Sequence, residues 1–342
     1  MTSTTVVDDV LIPALEAPPR RLGAGGPQVS AMGLGCMGMS EMYGPADDER
    51  SIRVINAALD AGISLIDTAA MYGEGHNEEL IGRAIRGRRD DAFLSTKFGI
   101  RRDGTRRWND NSPEHARASI DRSLARLGTD VLDLFIIHRL DGQTPIEESV
   151  GALGELVAEG KVRHIGISEV TADTLRRAHA VHPITVVQNE FSLWTRDVLR
   201  DGTLAAAREL GVGLIAYSPL GRGFLTGKVR ELESLADDDF RKNNPRFAGG
   251  NLAANLALLE PVERLAAELG ATPAAVVLAW LLAQGDDVVP IPGMNRLVEL
   301  GENLAAAALQ LPPAALAELT DGFRADDVVG ERYPEATMPS VR

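Results

Sequence analysis

The chain has 342 residues, 44% of them apolar and only 4% aromatic, with a formal net charge of −14. That length and apolar share bury a large, mainly aliphatic core and allow one big α/β domain or two smaller ones. The acidic balance, with no long basic run, argues against a nucleic-acid partner and an anionic membrane surface.

The opening "MTSTTVVDDVLIPALEAPPRR" places acids and prolines where a secretory leader needs a basic start and an unbroken apolar stretch. We therefore expect residues 1–19 as a flexible N-terminal segment and a cytoplasmic location. No window approaches the roughly 20 apolar residues of a spanning helix, so no membrane partner is expected. The single cysteine, Cys36, cannot form an internal disulfide, fits a reducing compartment and reads as a small core residue. Next, "RRLGAGGPQVSA" sets a Gly-Gly-Pro turn between short extended pieces, which predicts a hairpin preceding or closing a barrel floor.

Short apolar runs then recur between helical patterns. They are "VSAMGLG" (29–35), "ISLID" (63–67), "AFLSTK" (92–97), "VLDLFIIH" (131–138), "VRHIGIS" (162–168), "ITVVQ" (184–188), "VGLIAYS" (212–218) and "VVPIPG" (288–293). Their near-continuous, β-branched character fits strands covered on both faces, as in a parallel sheet. Helix punctuation lies in the gaps. Ser112 with Pro113 opens a helix that Gly128 ends, with Ile120, Leu124 and Leu127 on one face, and Thr272 with Pro273 opens another. Thr144, Pro145 and Glu147 have the spacing of a capping box, closed by Gly160. Eight strand–helix units of similar size predict a single (β/α)8 TIM barrel over residues 20–325, with no linker that would split it. Between the seventh and eighth runs lies a charged stretch, 229–254, and an additional helix around 255–269, and a loop that long is usually functional. The end, 326–342, reads as a polar, unperiodic tail, either a lid or a frayed end.

Barrel enzymes place their chemistry at the C-terminal ends of the strands, where this sequence has Asp67, Lys97, His138, Ser168, Gln188, Tyr217 with Ser218, and Gly293. The first three are ionisable and directly end aliphatic runs. If they converge with Tyr72, one short loop beyond Asp67, the Lys97 ammonium lowers the phenol's pKa from about 10 and Asp67 holds the ammonium in place. An acidic tyrosine beside a histidine that hydrogen-bonds a carbonyl oxygen is suited to protonating an alkoxide as it forms. The matching electron source is a hydride.

The segments "DTAAMYG", "STK", "FIIHR", "VVQNEFS", "AYSPLGRGFLTGK" and "PIPG", with "EN" ten residues on, resemble the aldo-keto reductase superfamily over residues 20–325. "LGCMGMSEMYG", "GISEV" and "SLWTRD" are similar to its pyridoxal-reductase-like and perakine-reductase-like branch. The resemblance implies a catalytic tetrad of Asp67, Tyr72, Lys97 and His138, with Tyr72 as general acid in the reduction of aldehydes or ketones. It also implies NADPH as cofactor, NADH use being left open. The nicotinamide would lie on Tyr217, its carboxamide near Ser168 and Gln188, with Met37 and Asp67 among the contacts. Ser218, Pro219, Leu220, Gly221 and Gly223 would wrap the pyrophosphate. Lys228 would meet a phosphate, and Gly293, Arg296, Glu302 and Asn303 the adenosine end.

Some positions depart from the family pattern. Glu169 stands where relatives often have Asn, and Asn295 and Glu299 replace residues that supply charge or hydrogen bonds to a 2′-phosphate. Consistently with this family, no G-x-G-x-x-G opens a helix after a strand.

Met39, Trp108, Arg139 and Trp194 are candidate walls of a pocket for a small-molecule carbonyl substrate. No metal site is expected, and nothing in the sequence specifies an oligomeric state. Two other readings are open. Potassium channel β-subunits, regulatory partners that bind cofactor, share the fold, but differ at the position of His138. A barrel binding a phosphorylated substrate at its last two loops is the third.

Overall fold

The computed structural model describes residues 4–104, 106–335 and 338. Eight parallel strands form one sheet in chain order: β1 (Leu34–Gly35), β2 (Leu65–Asp67), β3 (Phe93–Phe98), β4 (Leu132–Ile137), β5 (Val162–Ser168), β6 (Val186–Glu190), β7 (Gly213–Tyr217) and β8 (Val288–Ile291). Each falls within or against one of the eight aliphatic runs. The sheet closes on itself where Gly35 bridges Gly293 in parallel, and Gly33 and Gly35 donate to the carbonyls of Pro290 and Pro292 at 2.9 and 3.0 Å. A β-carbon on Gly35 would lie 2.7 Å from the Ile291 carbonyl oxygen, so the seam needs glycine there. The fold is the expected (β/α)8 barrel.

Alternation along each strand sorts the core into two compartments. Leu65, Leu134, Ile136, Val186, Ile215, Val289 and Ile291 form a cluster separate from the larger layer that Ile66, Phe135 and Ile137 join with the helices. Leu22 and Val29 join the smaller cluster from the antiparallel pair Arg20–Arg21 and Gln28–Val29, the hairpin expected at the barrel floor. Arg20 fastens it by donating to the carbonyls of Leu282 (2.7 Å), Gly285 (2.9 Å) and Val288.

The helices are α1 (Asp48–Asp60), α2 (His76–Ala84), α3 (Pro113–Leu127), α4 (Ile146–Ala158), α5 (Ala172–Val181), α6 (Thr203–Leu210), α7 (Glu260–Leu269), α8 (Pro273–Leu282), α9 (Leu297–Leu304) and α10 (Pro313–Gly322), besides short turns. Ser112 and Thr272 cap α3 and α8 as their sequence predicts, and Gly128 ends α3 in the left-handed region. The capping box expected at Thr144 does not form. Asp141 takes Thr144 instead, accepting its hydroxyl at 2.7 Å and its N–H at 2.8 Å, and α4 begins only after Pro145. A carboxylate three residues earlier outcompetes the hydroxyl for the local donors.

The segment before residue 20, expected as a flexible leader, contains from Thr4 a two-stranded hairpin, Thr4–Val7 with Val10–Pro13, that buries Ile12 and packs against α9. Its alternation is too short to register as an amphipathic signal.

The long insertion after β7 carries short helical turns at Phe240–Asn243 and Asn251–Asn255 before α7. It is sewn to the tail: Asn244 donates to the Arg332 carbonyl at 2.9 Å, while Asn255 and Val329 exchange two bonds of 2.8 Å. Arg332 drops from the tail onto Glu169 at 3.1 and 3.2 Å. Beneath it, Glu190 at the end of β6 forms a fully buried, two-pronged pair with Arg222 at 2.8 and 2.9 Å. Residues 336, 337 and 339–342 of the tail lie outside the described residues.

Burial alone would raise the Glu190 carboxyl, but the charge and hydrogen bonds of Arg222 hold it down to about 2, from an ordinary 4.5. This stability is complete above pH 4.5 and is lost as pH falls toward 2. Glu190→Gln strands the Arg222 charge, so chemical denaturation at pH 7 should show a loss of about 3–5 kcal/mol. The variant should also show a flatter stability profile in the acid range than the parent.

Candidate active site

The loop after β2 is bound to the end of β3. Thr68 N–H donates to the Ser95 carbonyl (2.8 Å) and Ala70 N–H to that of Lys97 (3.0 Å). Gly73, Glu74 and Gly75 then follow one another with φ of 55°, 56° and 101°. This tight reversal starts α2 directly after Tyr72 and leaves the phenol over the barrel mouth. Asn77 locks the turn, accepting from Thr68 Oγ1 at 2.6 Å and donating to the Cys36 carbonyl at 2.8 Å.

Beneath the phenol, Lys97 Nζ donates to Asp67 Oδ1 at 2.5 Å and to the Thr68 carbonyl at 2.7 Å. It lies 3.5 Å from Tyr72 Oη. Asp67 Oδ2 accepts from Ser95 Oγ at 2.8 Å and Gln188 Nε2 at 2.9 Å. His138 meets Tyr72 edge to face, ring centres 5.9 Å apart, and its Nδ1 is buried without a partner. The four ionisable side chains singled out in the sequence therefore converge.

Their electrostatics differ from expectation in one respect. Burial first, and then the Asp67 charge, push the Tyr72 phenol well above its ordinary value of about 10 rather than below it. The ammonium that was to lower it is held a full ångström closer to Asp67 than to the phenol. Burial also draws Lys97 below its ordinary value, against the pull of Asp67. His138 is held well below the usual histidine range by burial and by the charges of Arg139, Lys97 and Arg107. At neutral pH the site thus offers a protonated phenol and a neutral imidazole.

A cavity of about 750 Å³ reaches from Tyr72 and His138 past Tyr217 to Lys228, Arg296 and Asn303. This size suits an extended small molecule. Met37, Asp67, Gln188, Ser218, Pro219 and Leu220 line it, as do Gly223, Gly293 and Glu302, whereas Ser168 and Gly221 do not. Ser218, Gly221, Arg222 and Gly223 all have positive φ, the sharp winding that exposes backbone N–H groups to an anion. At the far end the amide nitrogen of Asn303 and the amide oxygen of Asn295 are buried and have no partner among the described residues. A donor and an acceptor left unpaired beside a cavity fit a nucleotide base, and the residues present fit the dinucleotide that the resemblance implies. The cations there are engaged: Lys228 Nζ holds Glu302 at 2.6 Å, and Arg296 donates to Glu299 at 2.7 and 2.9 Å. Glu299 also accepts from the backbone N–H of Asn295 and Arg296, capping α9. Glu169 is taken by Arg332, by the Glu190 N–H and by Tyr217 Oη at 2.8 Å.

Of the candidate substrate walls, only Arg139 lines the cavity. Met39 is buried in the outer core. Trp194 stacks on Phe224 at 4.0 Å and under Arg246, because a flat aromatic fills the space beside Gly221, whose β-carbon would meet its ring at 2.9 Å. Trp108 sits between Arg101 and Arg106, about 5 Å from each, on the hairpin Ile100–Asp103 and Arg106–Asn109. Sequence reasoning missed Met71, Arg107, Arg222 and Tyr333, all lining the cavity. "GRG" at 221–223 is a usable signal for Arg222, since two glycines free the chain to turn a cation inward. Tyr333, which hydrogen-bonds Tyr217 Oη at 3.0 Å, lies in a tail without periodicity and leaves no such trace.

Comparison with known proteins agrees with this geometry. The profile of the Aldo/keto reductase family matches residues 31–321. The chain is 42% identical over 327 residues, 94% of its length and 95% of the relative's, to the NADP(+) aldo-keto reductase yakc of Schizosaccharomyces pombe. The glycerol dehydrogenase structure from Gluconobacter oxydans superposes with a TM-score of 0.81 at 32% identity, covering 89% of this chain and 94% of that one. An aldo/keto reductase structure from Klebsiella pneumoniae, in complex with NADP and acetate, gives 0.71 at 26% identity over 92% and 98% of the two chains. From the closed barrel, the convergent acid, phenol, amine and imidazole, and a match over most of its length, this chain belongs to the aldo/keto reductase family.

Proposed function

We propose that the chain is an NADPH-dependent reductase of aldehydes or ketones, working in reverse as an alcohol dehydrogenase. The observation that carries this reading is a buried Lys97 bonded to Asp67 and within 3.5 Å of Tyr72, beneath a cavity that Asp67, Tyr72 and His138 line. NADPH is favoured by the Schizosaccharomyces pombe relative, named for NADP(+), and by the Klebsiella pneumoniae neighbour, whose complex holds NADP.

When bound, the reduced nicotinamide supplies a hydride. Neutral His138 donates a hydrogen bond to the substrate carbonyl oxygen and fixes it beside Tyr72 Oη. As negative charge grows on that oxygen, the phenol gives up its proton, and the Lys97 ammonium stabilises the phenolate left behind. Asp67, further held by Ser95 and Gln188, keeps the ammonium in place. Tyr217 and Gln188, which line the cavity, would seat the nicotinamide, and the winding at 218–223 would receive the pyrophosphate.

Tyr72→Phe should lower kcat for carbonyl reduction at least about 100-fold, while cofactor still quenches protein fluorescence; near-parental turnover would refute the acid assignment. The raised phenol pKa sets the sign of the pH dependence. Reduction needs the protonated phenol and should hold its rate from neutral pH across the ordinary phenol range, whereas alcohol oxidation needs the phenolate and should rise about tenfold per pH unit over the same range. Profiles of kcat/KM in both directions, with hydride transfer limiting, test this. Because Glu299 occupies Arg296, Glu299→Gln should raise the ratio of NADPH to NADH affinity severalfold in direct binding titrations.

A further inference from the structure

Cations along the cavity fall into two groups. Lys228 pairs with Glu302, Arg296 with Glu299, Arg222 with Glu190, Arg241 with Asp239, and Arg50 lies 3.8 Å from Asp47. Arg107 and Arg139 also line the cavity, and among the described residues neither forms an ion pair. These two are the ones beside the reacting groups.

Arg139 follows His138 in sequence and is 8% exposed. Its guanidinium donates to the His138 carbonyl (2.7 Å), Ser168 Oγ (3.0 Å) and Tyr217 Oη (3.2 Å), all neutral acceptors. Glu169, the carboxylate whose charge acts on Arg139, makes no ion pair with it among the described residues, bonding instead to the Tyr217 hydroxyl and to Arg332. Arg107 enters from the hairpin arm, where its one hydrogen bond among the described residues is to Met71 Sδ at 3.7 Å, beside Tyr72. Glu41 lies on that side, but its nearest cation is Arg102 at 3.8 Å and one of its oxygens is buried without a partner. The two guanidiniums sense each other, since burial and then the charge of Arg139 draw Arg107 below its ordinary value.

Arg139 is buried while Arg107 is exposed at the cavity rim, and an anion reaching both would relieve the repulsion between them and the cost of burying Arg139 without a counter-charge. A guanidinium offers parallel donors that match a carboxylate. We propose that Arg107 and Arg139 bind a carboxylate carried by the carbonyl substrate, so that the physiological substrate is an anionic aldehyde or ketone. This rests on the reductase reading for the word substrate, though not for the anion site itself. Arg139 sits on the cavity floor beside the imidazole, and Arg107 closes over from the rim. The carbonyl between Tyr72 and His138 is thereby oriented from its acidic end.

Two measurements test it. With NADPH, kcat/KM for 4-carboxybenzaldehyde should exceed that for 4-carbamoylbenzaldehyde by about 10–100-fold. Arg107→Met should lower that ratio at least about tenfold, and Arg107→Lys should restore part of it. Independently of turnover, calorimetry should detect benzoate binding and not benzamide binding to the full chain, with benzoate lost in Arg107→Met. Equal binding of benzoate and benzamide, or an unchanged ratio in the variant, overturns the anion site. Benzoate binding without turnover of any carbonyl would leave the anion site standing and overturn the reductase reading instead.

Discussion

A lysine ammonium and an aspartate carboxylate, both stripped of water and 2.5 Å apart, form the constraint on which the upper barrel depends. Moving either ion alone into such an interior costs several kcal/mol, and attraction between them offsets this only with good geometry and further hydrogen bonds. The barrel supplies both. Strand register sets Asp67 opposite Ser95 and Lys97 opposite Ile136, and Ser95, Gln188 and the Thr68 carbonyl satisfy what remains of the pair. Closure at the Gly35–Gly293 seam keeps the layer dry. The phenol of Tyr72 can then be uncharged at rest and still have a cation within reach when it becomes charged.

The same sorting of charge extends along the cavity. At the far end from Tyr72, Lys228 is matched by Glu302 and Arg296 by Glu299, while the side chains of Asn295 and Asn303 each keep a buried atom unpaired among the described residues. Beside Tyr72 and a neutral imidazole, Arg107 and Arg139 form no ion pair among the described residues. Between the two lies the rim network of Glu169, Glu190, Arg222 and Arg332, whose members satisfy one another and hold the insertion and the tail in register with the strands. A polar network that is fully paired specifies geometry, and one that is not invites a ligand.

The barrel and the four ionisable groups were legible because both follow from position alone. Near-continuous aliphatic runs mark strands buried on two faces, and an ionisable residue ending such a run must face the barrel mouth. The direction of the Tyr72 shift was not legible. It depends first on how deeply the phenol is buried and then on the Asp67 charge beside it, and no spacing encodes either. Trp108, Trp194 and Met39 misled for a related reason, since large apolar side chains fill outer packing and pocket walls alike. Arg107 and Tyr333 escaped notice because they arrive on a hairpin arm and a tail, where the chain has no period to read. Glu299, noted as an intruding anion, proves to be a helix cap as well.

Arg20 ties the hairpin at the barrel floor to carbonyls more than 260 positions further along the chain. Such a tie joins segments near the two ends of the chain, and contacts of that span are slow to find. The floor plug and the end of α8 must meet before the interior is sealed, so an early half of the barrel has no closed interior to settle into. Ordering should therefore be strongly cooperative across the whole ring, with the pocket competent only after its two extremities have come together.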